Sequence, residues 1–352
     1  MLKLPVEHVA PFREFYRARD VCVTGGAGFI GSHLVEELLS LGASISVLDD
    51  LSNSTTEHVA PLIDAEPGRV RFVHGSILDD AALTEAMLGC ASVFHLAAIG
   101  SVPRSFLEPS RYMAVNAHGT LRVMEAARRE GVGRVVYSSS SSVYGEALPG
   151  QGASAAAKTE TQVPRPMSPY AASKLAGEHV VQAWASGYGI QGVSLRLFNV
   201  FGPRQHSDSS YAAVIPQWSR CLLTGRPPVL YGDGQQTRDF TYVSNVVLGL
   251  LLAGASQRVG TGESVNIGTG RSVSLKDLLA LVASAFPGPA VVPQREPART
   301  GEVRHSRADI ALAERLLGYQ PLVDLEEGVR QTADWFQRAH RDAGGFAPRV
   351  GA

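Results

Sequence analysis

Val21-Cys22-Val23-Thr24-Gly25-Gly26-Ala27-Gly28-Phe29-Ile30-Gly31-Ser32-His33-Leu34 is the stretch from which the rest of the chain can be read. A short apolar, β-branched run ends in Gly25, Gly28 and Gly31. It passes directly into Ile30, Leu34, Val35, Leu38 and Leu39 at helical spacing, closed by Gly42. That order reads as strand, tight turn and helix. Glycines at such a turn let backbone N–H groups at a helix N-terminus approach a pyrophosphate, because no Cβ intervenes and the helix end is partly positive. The next apolar run, Ser44-Ile45-Ser46-Val47-Leu48, ends in Asp49-Asp50, near the ~20-residue distance at which a carboxylate meets an adenosine ribose. Turn and acid together read as a dinucleotide site, against the alternative of a purely structural glycine turn. A carboxylate there repels a 2′-phosphate, so NAD is expected rather than NADP.

Working outward, a helix is expected over 54–63, then strands at Val70-Arg71-Phe72-Val73-His74, Ser92-Val93-Phe94-His95-Leu96-Ala97-Ala98 and Arg134-Val135-Val136-Tyr137-Ser138. Helical patterns at about 79–88 and 112–130 separate them, and a long helix over 169–186 leads to Val193-Ser194-Leu195-Arg196-Leu197-Phe198. Alternating strands and helices predict an α/β fold, a doubly wound parallel sheet of the Rossmann type. After about residue 200 the alternation is lost in a Gly-, Pro- and Arg-rich region, which reads as a smaller α+β substrate-binding lobe. The expected division is an extension at 1–19, carrying a short helix, a dinucleotide-binding domain at 20–200 and the lobe at 201–352. The sheet is completed by residues near 240–270, around Val265-Asn266-Ile267. Residues 149–158 read as a mobile surface loop.

Composition sets the outer limits. With 352 residues, 45% of them hydrophobic, and a formal net charge of −1, the chain has material for a large core and no basic field for nucleic acid. No apolar run reaches the ~20 residues of a membrane span and no secretory pattern opens the chain, so a cytoplasmic protein is expected. Cys22, Cys90 and Cys221 are distant and odd in number, and read as reduced core residues; no metal site is expected.

Ligands of such sheets lie beyond the carboxyl ends of the strands, which directs attention to Ala97-Ala98-Ile99-Gly100 and to the serines after Tyr137. There Pro169-Tyr170-Ala171-Ala172-Ser173-Lys174 puts a phenol and an ammonium on one helix face. The chain has only four lysines against ten tyrosines, so this spacing arises by chance roughly 0.1 times. A phenol whose ordinary pKa is about 10 needs stabilisation to act as a base near neutrality, and a neighbouring ammonium supplies it. A strand-end serine completes the group by hydrogen-bonding the substrate hydroxyl, although Ser138 to Ser142 are chemically equivalent candidates.

Thr24 to Gly31, the Tyr170/Lys174 pair and the serine before Val143-Tyr144-Gly145 resemble the extended short-chain dehydrogenase/reductase family, in its nucleotide-sugar branch. The likeness continues through Leu195 to Gln205, Tyr231-Gly232-Asp233-Gly234 and Thr237-Arg238-Asp239-Phe240. It implies Ser140, Tyr170 and Lys174 as catalytic residues, with Lys174 also holding the nicotinamide ribose. It implies Gly25, Gly28, Phe29, Ile30, Gly31, Asp49, Asp50, Asn53, Ile77, Leu96, Ala97 and Ala98 around NAD. Ser76 would also face NAD, where the family usually places an acid. The related 4,6-dehydratases carry Asp-Glu after the catalytic serine or threonine, and decarboxylating relatives a Glu at the second place. Here those places hold Ser141 and Ser142, which leaves 4-epimerisation.

Within the epimerases, Ala97 to Ser105, Tyr211 to Pro216 and Gly301 to Ser306 are most similar to bacterial UDP-N-acetylhexosamine 4-epimerases of surface-polysaccharide pathways. That resemblance implies a UDP-sugar pocket made by Gly100, Ser101, Ser141, Ser142, Asn199, Gln205, Ala213 and Ser306. Val214 and Ile215 would pack on uracil, and Arg238 and Arg299 would hold the pyrophosphate. Ser306 stands where glucose-only epimerases have a tyrosine, leaving room for an N-acetyl group. UDP-glucuronate 4-epimerases share a small residue there, but commonly have threonine at the place of Asn199. A homodimer through the helices near 112–130 and 168–186 is implied as well. A non-catalytic sensor of NAD or nucleotide sugar on the same fold is the alternative of another class, disfavoured by the intact Ser140/Tyr170/Lys174 set.

Overall fold

In the computed structural model, which describes residues 4–146, 157–207, 213–287, 292–298 and 303–342, the opening strand lies in the middle of a parallel sheet. The strands in chain order are β1 (Asp20–Thr24), β2 (Ser44–Asp49), β3 (Val70–His74), β4 (Ser92–His95), β5 (Arg134–Ser140), β6 (Gln191–Leu197) and β7 (Val200–Phe201). They continue with β8 (Val229–Tyr231), β9 (Thr237–Arg238), β10 (Thr241–Tyr242), β11 (Thr261–Ile267), β12 (Val273–Ser274), β13 (Gln294–Glu296) and β14 (His305–Ser306). Seven of them form the sheet in the order β11-β6-β5-β4-β1-β2-β3. Every pairing in it is parallel.

The doubly wound character follows from alternation along these strands. Val21 and Val23 enter one apolar cluster while Cys22 enters another; Phe94 and Val136 join the first, and Val93, Val135 and Tyr137 the second. Side chains of a strand point alternately to its two faces, so two separate clusters require helices on both. The order reverses between β1 and β4, and the loops after those strands diverge to leave a crevice at their carboxyl ends. Apolar helix Val243–Ala255 packs on helix Phe29–Ser40 and on β5 and β6, and β11 follows it into the sheet beside β6. The return expected near 265–267 therefore takes place.

Apart from β11, the strands beyond β6 are short and make three small sheets: β7 with β10, β8 with β13, and β9 between β12 and β14. At the other end, the expected short helix of the extension runs Val6–Tyr16. Its Tyr16 is fully buried and donates to the Leu251 carbonyl oxygen at 2.7 Å.

Several expectations need correction. The helix over 54–63 is a 3₁₀ turn, Thr56–His58, followed by the short helix Ala60–Ala65. Pro61 at the start of the second element is tolerated because its missing N–H lies where no partner is needed. The pattern over 112–130 is interrupted by a π-helical turn, Met113–His118. Cys22 and Cys90 are buried and Cys221 is only partly so. Lys158, expected on a surface loop, is 4% exposed, and its Nζ donates to the Gly145 carbonyl oxygen at 3.0 Å. The rest of that loop, 149–156, lies outside the described residues.

Two interior histidines give the fold a pH dependence. His95 bonds Thr24 Oγ1 at 2.8 Å and Thr120 Oγ1 at 3.0 Å, and His33 Nε2 donates to the Pro203 carbonyl oxygen at 3.0 Å. Burial lowers each to about 3. Below the ordinary imidazole value of about 6.5, the unfolded chain binds protons that the folded chain cannot, so stability falls as pH drops from 6.5 toward 3. Denaturant unfolding at pH 5.0 is expected to show about 2 kcal/mol less stability per histidine than at pH 7.5. Equal stability at the two pH values would contradict neutral burial.

Candidate active site

The turn between β1 and helix Phe29–Ser40 is built for close approach. Gly25 has φ +71°, and a Cβ on it would stand 2.7 Å from the Ala97 nitrogen; a Cβ on Gly31 would overlap the Gly25 carbonyl oxygen. Only glycine lets the loop after β1 lie against Leu96-Ala97 after β4. With Gly28 as N-cap, the first-turn N–H groups of Phe29, Ile30 and Gly31 have no partner within the helix. This cradle, which a single Cβ would fill, fits a dinucleotide pyrophosphate.

The two acidic residues after β2 have different surroundings. Asp49 is 8% exposed; it accepts from Ala27 N at 3.0 Å, Leu51 N at 3.0 Å and Ser54 Oγ at 2.8 Å. It thereby ties the glycine loop to the following turn. Asp50 is exposed at the cavity rim and accepts a local bond from Ser52 N at 3.0 Å. Both carboxylates line the cavity, Asp49 held in the loop and Asp50 at its exposed edge.

One cavity of about 1010 Å³ gathers the expected residues, a volume at the upper end of small-molecule sites, about 300–1,000 Å³. Gly25, Gly28, Phe29, Ile30 and Gly31 line it from the first turn, Asp49, Asp50 and Asn53 from the end of β2, and Ser76 and Ile77 from the end of β3. Leu96, Ala97, Ala98, Gly100 and Ser101 come from the end of β4, and Ser140, Ser141 and Ser142 from the end of β5. Asn199 and Gln205 follow β6, Ala213, Val214 and Ile215 open the helix Val214–Leu223, and Arg238 and Ser306 sit on β9 and β14. Arg299 lies outside the described residues.

On the floor of this cavity, helix Pro169–Tyr188 begins with Ser168 as N-cap, its hydroxyl accepting from Ala171 N at 3.1 Å. That start fixes Tyr170 in the first turn and Lys174 one turn later. Lys174 is 4% exposed; its Nζ donates to the Ser138 carbonyl oxygen at 2.7 Å and lies 5.0 Å from the Tyr137 ring centroid. Burial lowers it to about 7. Burial raises the Tyr170 phenol, and the hydroxyl of Ser140 opposes that rise. Ser140 itself accepts from Ser142 N at 3.2 Å and from Ser142 Oγ at 2.9 Å, so Ser142 orients it. Tyr112 packs edge-on against Tyr170, ring centroids 6.2 Å apart.

Sequence reasoning passed over Asn116. In the π-helical turn its amide accepts from Ile99 N at 2.8 Å and donates to the Ile99 carbonyl oxygen at 3.1 Å and to Ser173 Oγ at 3.0 Å. It clamps the strand-end segment that leads to Gly100 onto the helix carrying Tyr170. Helical periodicity contained no sign of it, because the extra residue per turn is a local departure. Among the described residues no His, Cys, Asp and Glu side chains group to hold a metal, and no helix is long and apolar enough to cross a membrane.

A Tyr–Lys pair and a strand-end serine beyond the carboxyl ends of a doubly wound sheet define the class: a nicotinamide-dinucleotide enzyme of the extended short-chain dehydrogenase/reductase type. The chain belongs to the NAD dependent epimerase/dehydratase family, whose model matches residues 21–268, and its cofactor is NAD. It is 39% identical over 318 residues to a UDP-glucose 4-epimerase of Mycolicibacterium smegmatis, covering 90% of this chain and 97% of that protein. A dTDP-glucose 4,6-dehydratase of Streptomyces griseus is 34% identical over 323 residues, 91% of this chain and 94% of that one. Among solved structures, a UDP-N-acetylglucosamine 4-epimerase from Methanobrevibacter ruminantium M1 superposes with a TM-score of 0.83 at 34% identity, covering 92% of this chain and 99% of that chain. Overall likeness thus embraces both epimerases and dehydratases, and the choice between them rests on individual side chains.

Proposed function

We propose that this enzyme interconverts UDP-N-acetylglucosamine and UDP-N-acetylgalactosamine by inverting the sugar at C4, with UDP-glucose and UDP-galactose as further substrates. The observation that carries the reading is the composition of the catalytic floor: Ser140, Tyr170 and Lys174 present, and serine rather than carboxylate at 141 and 142. Dehydration across C5 and C6 needs a proton-transferring group there. Neither serine has one, so oxidation at C4 has no onward elimination and must reverse.

In this mechanism the Tyr170 phenolate removes the proton of the C4 hydroxyl, which Ser140 holds by a hydrogen bond. Lys174 stabilises the phenolate through its charge. The chemistry NAD supplies when bound is reversible hydride exchange with C4. Gly25, Gly28 and Gly31 would cradle its pyrophosphate, and Asp49 and Asp50 would face its adenosine ribose. Arg238 and Arg299 would anchor the diphosphate of UDP while the 4-keto sugar presents its other face, and Tyr170 then returns the proton. Gln205 supports a polar ligand near Asn199. Its amide nitrogen donates to the Val200 carbonyl oxygen at 3.1 Å, whereas its buried Oε1 has no partner among the described residues.

The test is to incubate purified protein without added NAD with UDP-GlcNAc, UDP-glucose and UDP-glucuronate separately and to follow the C4 epimers by NMR. UDP-GalNAc is expected to form fastest, because Ser306 leaves space beside the sugar. Fastest conversion of UDP-glucuronate would overturn the pocket reading and keep the mechanism. No conversion of any would favour a nucleotide-sugar sensor.

A further inference from the structure

One turn beyond Lys174 on the same helix is a second buried charge that the mechanism above does not use. Glu178 is 4% exposed. Arg196 of β6 grips its carboxylate, Nε to Oε1 at 3.0 Å and Nη2 to Oε2 at 2.7 Å. Ser139 of β5 donates to the same carboxylate, and so does Ser264 of β11, at 3.1 Å. Four groups from a helix and three adjacent strands thus meet beneath the catalytic floor. A buried ion pair adds little stability over an apolar replacement of similar shape, so stability alone is a poor account of it.

Its location is informative. Ser139 lies between Ser138, whose carbonyl oxygen takes the Lys174 ammonium, and Ser140. A carboxylate bound to Ser139 therefore fixes the strand end that carries both. Residues four apart also share a helix face about 6 Å apart, which sets the Glu178 charge beside Lys174. Among the described residues the titratable groups facing that ammonium are Tyr137 on β5, His95 on β4, and Tyr170 and Glu178 on its own helix. Burial holds Tyr137 and His95 neutral, which leaves Glu178 as the anion that opposes desolvation of the ammonium.

We propose that Glu178 is a positioning residue for the proton step: its carboxylate supplies the counter-charge that keeps Lys174 cationic beside Tyr170 and, through Ser139, fixes the strand end bearing Ser140. The inference rests on the reading of Tyr170 and Lys174 as base and supporting cation. Removing Glu178 alone would strand the Arg196 cation, so the variant of choice is Glu178→Gln with Arg196→Gln, which neutralises the pair together.

The measurement is the tyrosinate absorbance of the full chain with NAD present, from pH 6 to 9.5, each protein read against its own Tyr170→Phe counterpart. The unsubstituted protein is expected to show a Tyr170-dependent transition. In the double variant its midpoint is expected to rise by about one pH unit, because the ammonium loses its proton earlier and leaves the phenolate unsupported. Ser264→Ala removes one bond to Glu178 without its charge and should leave the midpoint unchanged. An unmoved midpoint in the double variant, or an equal rise in Ser264→Ala, would overturn the role of Glu178. Absence of any Tyr170-dependent transition in the unsubstituted protein would instead overturn the base reading, before any Glu178 variant is considered. Should the double variant not fold, ¹³Cε-lysine labelling resolves the four lysines of the unsubstituted chain. A Lys174 midpoint that drops in Glu178→Asp, which draws the carboxylate back while keeping its charge opposite Arg196, supports the proposal, and an unmoved midpoint overturns it.

Discussion

Tyr170→Phe is expected to lower the turnover number for C4 epimerisation by about 10³-fold or more, near the upper range of general acid–base contributions of about 10²–10⁴, with UDP-sugar affinity changed less than about threefold. The substitution removes one oxygen. It leaves the ring packed edge-on against Tyr112 and leaves the Ser168 cap, which involves only the backbone of Ala171, in place. What it takes away is the group proposed to move the C4 proton. Lys174 offers no substitute, since its Nζ is committed to the Ser138 carbonyl oxygen at 2.7 Å in a buried setting. Ser140 accepts two bonds from Ser142, and an aliphatic hydroxyl ordinarily has a pKa far above that of a phenol. Turnover is read by NMR and affinity by calorimetry with UDP-GlcNAc. Activity within tenfold of the unsubstituted enzyme would remove Tyr170 from the proton path, and a collapse of affinity would assign it to binding.

The parts of this site that were readable in sequence are those where one local constraint decides the residue type. Gly25 and Gly31 are glycines because backbone from β4 and from the loop itself occupies the place of a Cβ. Tyr170 and Lys174 stand four apart because one helix face must present both. The sheet was readable for a similar reason: strands buried on both faces carry consecutive apolar residues, Val93-Phe94 in β4 and Val135-Val136-Tyr137 in β5. The parts that were not readable depend on distant partners. A two-residue strand such as β9 or β14 has no period, and its existence rests on pairing with residues more than sixty positions away. Asn116 acts through a π-helical turn that helical spacing does not distinguish. Lys158 looked like loop and is buried because Arg307 and Asp309 backbone close over it, Lys158 N donating to the Arg307 carbonyl oxygen at 2.7 Å. Glu178 was within reach of sequence reasoning, one turn after Lys174, but its partners Arg196 and Ser264 come from strands that only the fold brings together.

Ser306→Tyr is expected to cost UDP-GlcNAc and UDP-GalNAc turnover about 10²-fold or more while UDP-glucose turnover stays within about tenfold of its starting value. Ser306 is the last residue of β14, which runs parallel to β9 with Ser306 opposite Arg238. Both side chains line the cavity that also contains Ser140 and Tyr170. The backbone at this point is held on both sides: Thr237 N donates to the Arg304 carbonyl oxygen at 3.0 Å, and Ala308 N donates to the buried Asp239 carboxylate at 3.1 Å. A phenol introduced here has no freedom to swing away by moving the strand, so it enters the cavity and takes the volume assigned to the acetamido group. A 2-hydroxyl is smaller and remains accommodated, which makes the effect a change of ratio between substrates rather than a general loss. Side-by-side NMR rates on the two substrate pairs read that ratio. Equal loss on both would mean that the tyrosine disturbs Arg238 and the diphosphate instead, and unchanged rates on both would place the N-acetyl group elsewhere in the cavity.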